Sequence, residues 1–466
     1  MNRLAVINLV GLSERILGDS TPFLNSWIRR FGKRKITPIL PALTCSTQST
    51  YLTGSHPSNH GVVGNGWYFR DVSQVQFWRQ SNSLVQGEKL WETARKIDQS
   101  FTCANLFWWF NMYSTVDYSI TPRPIYRADG LKIADIYTEP AFLRESLQNQ
   151  LGRFPLFKFW GPGADIQSSQ WIADASRRLE EQFEPTLSLI YLPHLDYCLQ
   201  KEGPLGEGVP AELKKIDQTL QRLVDFFSSR EVRVVILSEY GISDVQSPVP
   251  LNRFLREKGF LKVREECGED HWDAGVSDAF AVCDHQIAHI YVKNPEHISR
   301  VRKQVETLPG VDGVLDRVGQ ATYGLNHSRS GELVAIAAPG HWFSYEFWLD
   351  DRRAPDFART VDIHRKPGYD PAELFMDDGI RFPRLKVAKN LLKRHLGFRY
   401  LMDLIPLHGR NVKGSHGRSA ADPLDFPLFL SDQPFENLDL HPLQVKQLLL
   451  EHLFDPKERD PIHEAC

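Results

Sequence analysis

No CxxC pair occurs in this chain, and its six cysteines (Cys45, Cys103, Cys198, Cys267, Cys283, Cys466) are scattered through 466 residues without a framework spacing. That fits a reducing compartment better than a disulfide-stapled secreted domain. Long apolar runs are missing as well. The stretch Met1–Val10 is too short for the core of a signal peptide, and no run approaches a membrane span. A cytoplasmic protein without a membrane partner is therefore expected. Surplus positive charge is also absent: Lys and Arg total 55 against 58 Asp and Glu, a net charge of −3, so no basic surface argues for nucleic acid. Internal repeats and low-complexity segments do not occur. What remains, 42% hydrophobic and 24% charged residues, is ordinary for a globular chain long enough to bury a large core.

Short apolar runs alternate with stretches of helical spacing. Leu4–Val10, Leu187–Leu192, Val232–Leu237 and Leu333–Ala337 read as buried strands. Trp171–Gln182, Ala211–Phe227 and Pro442–Leu453 read as helices. This alternation predicts an α/β fold with a mostly parallel sheet covered on both faces. Ligands of such sheets bind beyond the carboxyl ends of the strands, which directs attention to Thr44, Asp196 and Glu239. The segment from about 350 to 413 is rich in Arg, Asp, Pro and Gly, and reads as a cap or insert beside the main sheet of a single domain spanning 1–466.

The strongest local pattern is Pro41-Ala42-Leu43-Thr44, continuing through Thr53-Gly54, Pro57, His60-Gly61 and Asn65. A hydroxyl opening a helix after a strand meets free backbone N–H groups, which suit an anionic phosphate. A threonine needs a base or a metal to become a nucleophile. By local pattern alone the same residues also describe a Thr N-cap with a Ser/Thr-rich first turn.

The frame P-x-x-T, then T-G-x-x-P-x-x-H-G and an Asn, resembles the nucleophile loop of nucleotide pyrophosphatase/phosphodiesterases of the alkaline phosphatase superfamily. The resemblance runs from Val6 to about Leu453 and implies an alkaline phosphatase-like three-layer α/β/α sandwich. It also implies that Thr44 carries the phosphoryl intermediate, with Thr47 standing where the family has a phosphate-contacting Asn and Asn65 as a further phosphate or substrate contact. Asp196, Gln200 and Gly203-Pro204 align with the family's D-x-x-x-H-x-x-G-P, so Gln200 replaces a metal-binding His. A Gln offers only a neutral carbonyl oxygen. Ser238-Glu239-Tyr240-Gly241-Ile242 stands for S-D-H-G-M, and Val10-Gly11 for the family's D-G pair. Asn8 shares the strand face of Val10 and could partly substitute. Gly414-Ser415-His416-Gly417 matches the late G-x-H-G whose His completes the first metal site.

The resemblance thus implies a metal-dependent hydrolase of phosphodiester, pyrophosphate or phosphomonoester bonds. The metal ligands would come from Asp196, His416, Glu239 and Gln200, with one divalent ion, zinc, expected rather than two. Two further clusters add candidates. Asp362–Asp370 contains His364 as a ligand and Arg365 and Lys366 as phosphate clamps, or else is a solvated loop. Asp284-His285-Gln286, with His289, is a second polar cluster or a buried network. Trp67, Tyr68 and Phe107–Phe110 would stack a planar group or sit in the core. The expected partner is a small phosphorylated metabolite or a nucleotide. A catalytically weak relative that binds such a metabolite is the alternative, motivated by Val10, Gln200 and Tyr240.

Overall fold

A computed structural model describes residues 1–433 and 439–454. The strand Leu4–Leu9, apolar at five of six positions and buried throughout, lies at the centre of an eight-stranded sheet. It pairs in parallel with Leu187–Leu192 on one side and Arg233–Leu237 on the other. Cys103–Leu106 and Tyr118–Pro122 extend the parallel ladder. Antiparallel strands close both edges, Ile136–Glu139 at one and Leu428–Ser431 with Arg34–Lys35 at the other. The amphipathic helices Gln167–Phe183 and Val209–Ser229 pack on the sheet as the sequence spacing predicts. The expected C-terminal helix begins as a single tight turn at Pro442–Gln444 and continues as Val445–Phe454. The architecture is the expected three-layer α/β/α sandwich with a mostly parallel sheet.

One strand belongs elsewhere. Leu333–Ala337 is a strand, but it sits in a separate four-stranded antiparallel sheet with Ala279–Asp284, Ile287–Val292 and Val311–Leu315. A fully buried apolar run reads the same in either kind of sheet, so periodicity alone cannot assign it. This second sheet has its own core, which includes Val282, Ile290, Phe343, Tyr345 and Trp348. The segment read as a cap enters that core through Ala358 and Tyr369, and the Tyr369 N–H donates to the Cys283 carbonyl at 2.9 Å. Between 350 and 413 the chain forms short single-turn helices and one regular helix, Pro383–His395. The five cysteines among the described residues are unbridged, and Cys466 lies outside them. Among those residues no helix is long and apolar enough to cross a membrane.

Candidate active site

Thr44 opens the helix Thr44–Thr53, and Leu43, in extended conformation, is its N-cap. The Thr44 hydroxyl is therefore not consumed in capping. It lies 2.9 Å from the Tyr240 hydroxyl and close enough to the Glu239 carboxyl and the Tyr191 phenol to lower the proton affinity of both. Every residue of this helix from Thr44 to Leu52 is buried, so its polar side chains need partners inside the protein. Ser46 donates to the Pro41 carbonyl, Thr50 to Ser46 and Thr53 to Ser49. Thr47 Oγ1 is buried with no hydrogen-bond partner. Asn65 serves the helix end: its amide oxygen accepts the Cys45 N–H at 3.0 Å, one of the donors a first turn leaves open. Its own N–H groups donate to Asp284 at 2.7 and 3.1 Å.

Three buried carboxyl groups surround Thr44 and its loop, each raised above the ordinary carboxylate range by desolvation. Burial lifts Glu239 to about 8, Asp196 to about 7 and Asp284 to about 6. Glu239 Oε1 accepts amide N–H bonds from Asn8 and Gln48, both at 2.5 Å, while Oε2 has no partner. Gln48 is itself aimed by the Trp109 N–H, which donates to its Oε1 at 2.6 Å. Asp196 Oδ2 accepts from Gln200 at 2.9 Å and Oδ1 from the Tyr240 hydroxyl at 3.4 Å. Asp284 accepts from His285 Nδ1 at 2.8 Å.

Four rings run across the site. Tyr240 stacks on His416 with centroids 3.6 Å apart, His416 on His285 at 3.9 Å, and His285 on Tyr369 at 3.6 Å. The Tyr369 hydroxyl donates to Gln200 Oε1 at 2.6 Å, which closes the circuit back to Asp196. Burial depresses both imidazoles well below their usual range, so they are neutral. His416 Nδ1 donates to the Ala42 carbonyl at 2.8 Å, which leaves Nε2 as a bare lone pair. That nitrogen has no hydrogen-bond partner and faces Asp196 Oδ1 at 3.7 Å. The glycines beside His416 have packing reasons. A Cβ at Gly414 would lie 2.2 Å from the Leu199 carbonyl, and Gly417 holds φ 116°, which side-chain-bearing residues rarely adopt.

The donor chemistry separates two cation positions. Asp196 and His416 present lone pairs to each other and suit one ion between them. Gln200 adds no free oxygen, because its carbonyl is taken by Tyr369. Around Glu239, amide N–H donors hold Oε1 and burial pushes the neighbouring phenol well up, while Oε2 and Asn8 Oδ1 have no hydrogen-bond partner, so a second cation would find two oxygens there. No cluster of three or more His, Cys, Asp or Glu among the described residues is placed to hold a metal.

The structure brings together Thr44, Asp196, Gln200, Glu239 and His416, but not the expected cluster around His364. That imidazole lies against the Tyr126 ring, with centroids 6.4 Å apart. Among the described residues no hydrogen bond, ion pair or ring contact joins it to the Thr44 group. Arg365 is exposed and pairs with Asp362 and Asp356 at 3.3 and 3.8 Å. Lys366 is buried between Asp370 and Glu373 at 2.7 and 2.8 Å. Its charge is paired with those carboxylates, where a phosphate clamp was expected. Asn65, likewise, is occupied in holding the helix end. The sequence reading passed over Gln48 and Tyr191 and gave Tyr369 no role. Only Gln48, one turn along the helix from Thr44, carried a positional signal.

A sequence profile for type I phosphodiesterase / nucleotide pyrophosphatase matches residues 4–370. An uncharacterized pyrophosphatase/phosphodiesterase of Schizosaccharomyces pombe is 23% identical over 282 residues, covering 58% of this chain and 46% of its own length. Ectonucleotide pyrophosphatase/phosphodiesterase 1 of Saccharomyces cerevisiae is 23% identical over 279 residues, 52% of this chain and 34% of its own. The chain thus spans less than half the length of these curated relatives. Among solved structures, phosphonoacetate hydrolase from Sinorhizobium meliloti in complex with phosphonoformate superposes with a TM-score of 0.60 at 14% identity, covering 97% of this chain and 96% of that one. An inactive variant of murine ectonucleotide pyrophosphatase/phosphodiesterase 5 in complex with AMP superposes with a TM-score of 0.59 at 12% identity, covering 97% and 95%.

Proposed function

Since the chain belongs to the type I phosphodiesterase / nucleotide pyrophosphatase family, we propose that it hydrolyses a phosphoester or pyrophosphate bond of a small phosphorylated metabolite or nucleotide, with Thr44 as the nucleophile. The observation that carries this is the Thr44 hydroxyl, uncommitted to its helix, 2.9 Å from the Tyr240 hydroxyl and near enough to Glu239 to lower the proton affinity of its carboxyl. AMP and phosphonoformate in the fold neighbours support a small phosphoryl-bearing ligand.

In this reading Thr44 Oγ1 attacks phosphorus, its proton passes to the Glu239 carboxylate, and the bond from phosphorus to the leaving oxygen breaks. A base works best when its affinity for protons lies near the working pH, and Glu239, at about 8, meets that condition. Glu239 hands that proton to the leaving oxygen, then takes one from the water that attacks the phosphothreonine, and returns it to Thr44 Oγ1 as the bond from phosphorus to that oxygen breaks. Tyr240 holds the Thr44 oxygen in line and ties it to Asp196. A single divalent ion, zinc by the resemblance, would be held by Asp196 and His416 and would supply positive charge to the phosphoryl oxygens. Thr44 is 4% exposed, so turnover includes an opening of the site.

The binder reading draws on the same sealed network, in which Glu239 and Asp196 are already hydrogen-bonded within the protein. One experiment separates the two. Wild type and Thr44→Ala are assayed on AMP, a dinucleotide and bis(4-nitrophenyl) phosphate. The variant is expected to fold normally and lose at least about a thousandfold in turnover, the scale of nucleophile loss. Equal rates for both proteins would refute Thr44. Tight AMP binding with no turnover of any substrate by wild type would establish the binder.

A further inference from the structure

The helix Pro383–His395 presents an uncovered apolar stripe to solvent. Phe382, Leu385, Leu392, Leu396 and Phe398 are 57–67% exposed. Leu385, Leu392 and Leu396, spaced by seven and four residues, lie on one face of the helix. The opposite face holds it to the protein. Asn390 donates to the Leu401 carbonyl at 2.8 Å, and Lys386 Nζ reaches both the Asp403 carbonyl and its carboxylate at 2.7 Å. By helical position Lys389 and Lys393 flank the stripe on one side and Arg384 on the other.

The charge of this segment is one-sided. From Arg381 to Arg399 there are seven Lys and Arg and no Asp or Glu, in a chain whose net charge is −3. Of the seven, only Lys386 has an ion-pair partner among the described residues. A second copy of the same face would bring these cations against each other, which disfavours self-association. On this helix, about 20 Å long, Leu392, Leu396 and Phe398 line an open hollow with Lys389, Lys393 and Arg399, an apolar floor rimmed by cations that matches acyl chains beneath anionic headgroups.

We propose that this helix docks the protein on an anionic lipid surface. It lies in the interface plane, with the Leu385–Leu392–Leu396 stripe and Phe398 in the acyl boundary and the flanking cations against the headgroups. A short, strongly cationic helix with an exposed apolar face has the composition of interfacial helices that lie on a bilayer rather than span it. The sequence reading excluded a spanning segment and with it a membrane partner; a peripheral helix requires no span. This inference is independent of the Thr44 chemistry.

The test is co-sedimentation of the full chain with sucrose-loaded vesicles. One set is phosphatidylcholine alone, the other phosphatidylcholine with about 30% phosphatidylserine, the anionic component that should attract the cations. Binding is expected to the anionic vesicles and not to the neutral ones, and to weaken with added salt as exposed charges are screened. Lys389→Glu with Lys393→Glu should weaken binding on the order of tenfold or more. Leu392→Ser with Leu396→Ser should also weaken it, while the melting temperature stays at the wild-type value because both residues are exposed. Three results overturn the proposal: no binding to anionic vesicles, equal binding to both compositions, or variants that bind as wild type does. Helix-dependent dimers in lipid-free sedimentation, or an acidic protein captured where vesicles are not, would assign the surface to a protein partner and overturn it too.

Discussion

Glu239 occupies the place of a family metal ligand, yet its surroundings are those of a carboxyl group held by amides. Asn8 and Gln48 aim N–H groups at one oxygen, and the other is left free beside Thr44. A glutamine in its place keeps the accepting carbonyl but loses the capacity to take a proton. Glu239→Gln should therefore lower kcat by about a hundredfold or more, the usual contribution of a general base. Its melting temperature should stay at or above that of wild type, since a neutral amide replaces a desolvated acid. Unchanged kcat would remove Glu239 from the chemistry. A different buried residue contributes to acid stability. His289 donates through Nε2 to the Val63 carbonyl at 2.9 Å and accepts the Gly331 N–H through Nδ1 at 3.2 Å, so it is neutral, and burial lowers it to about 4. The unfolded chain then binds more protons than the folded one between about pH 6.5 and 4. The stability from this group is complete above that window and is lost as pH falls through it, on the order of 3 kcal/mol at most. His289→Gln, which can keep both hydrogen bonds, should lose less stability than wild type between pH 6.5 and 4. Urea midpoints measured across that range test this, and parallel curves would contradict it.

At the scale of elements, the loop Asp362–Leu374 shows how a charge-rich segment can serve the site from behind. Lys366, with Asp370 and Glu373, forms a buried ion triad. Three residues along, Tyr369 leaves that triad to stack on His285 and hold Gln200. Trp160 Nε1 also donates to Glu373 at 2.5 Å, which ties the loop to the helical layer. The triad therefore positions Tyr369 rather than binding substrate. Removing one member of a buried ion group leaves the others unpaired, at a cost of about 3–5 kcal/mol. Lys366→Met should lower stability by that much in urea denaturation. In the fraction that remains folded, KM should change little. A stable variant with a large rise in KM would restore Lys366 as a phosphate ligand. The helix Thr44–Thr53 makes a related point, since it is interior from Thr44 to Leu52 and Thr50 and Thr53 bond to its preceding turn. A helix buried on every side has no polar face for periodicity to detect.

Over the whole molecule, the parallel strands converge so that Asp196 and Tyr240 follow neighbours of Leu4–Leu9, while His285 comes from a turn of the second sheet and His416 follows the short strand Gly414–Ser415, which pairs with Ser243–Val249. The proposed one-ion site is a product of that convergence. Since the unpartnered His416 Nε2 faces Asp196 Oδ1 while the Glu239 carboxyl is held by two amides, the protein should bind at most one zinc ion per chain after equilibration and desalting. Elemental analysis of wild type, Asp196→Asn and His416→Ala checks this. Two ions in wild type, or one retained tightly by both variants, would contradict the assignment.

The sequence by itself determined the parallel sheet, because its central strands are fully buried apolar runs with amphipathic helices between them. It also determined Thr44, Asp196, Glu239 and His416 as the residues to watch, because each falls after a strand or within a motif whose spacing survives. It could not determine what those residues touch. The Asn8–Glu239 bond joins positions 231 apart, and the Tyr369–Gln200 bond joins positions 169 apart. Whether a polar side chain ligates, donates or pairs depends on which neighbours exclude water from it. Lys366 and Asn65 have the chemistry of phosphate contacts, and burial against carboxylates gives them other work. Leu385, Leu392 and Leu396 have the chemistry of core residues, and the fold leaves them in solvent. Side-chain chemistry is written locally, whereas burial is decided only when distant segments pack together.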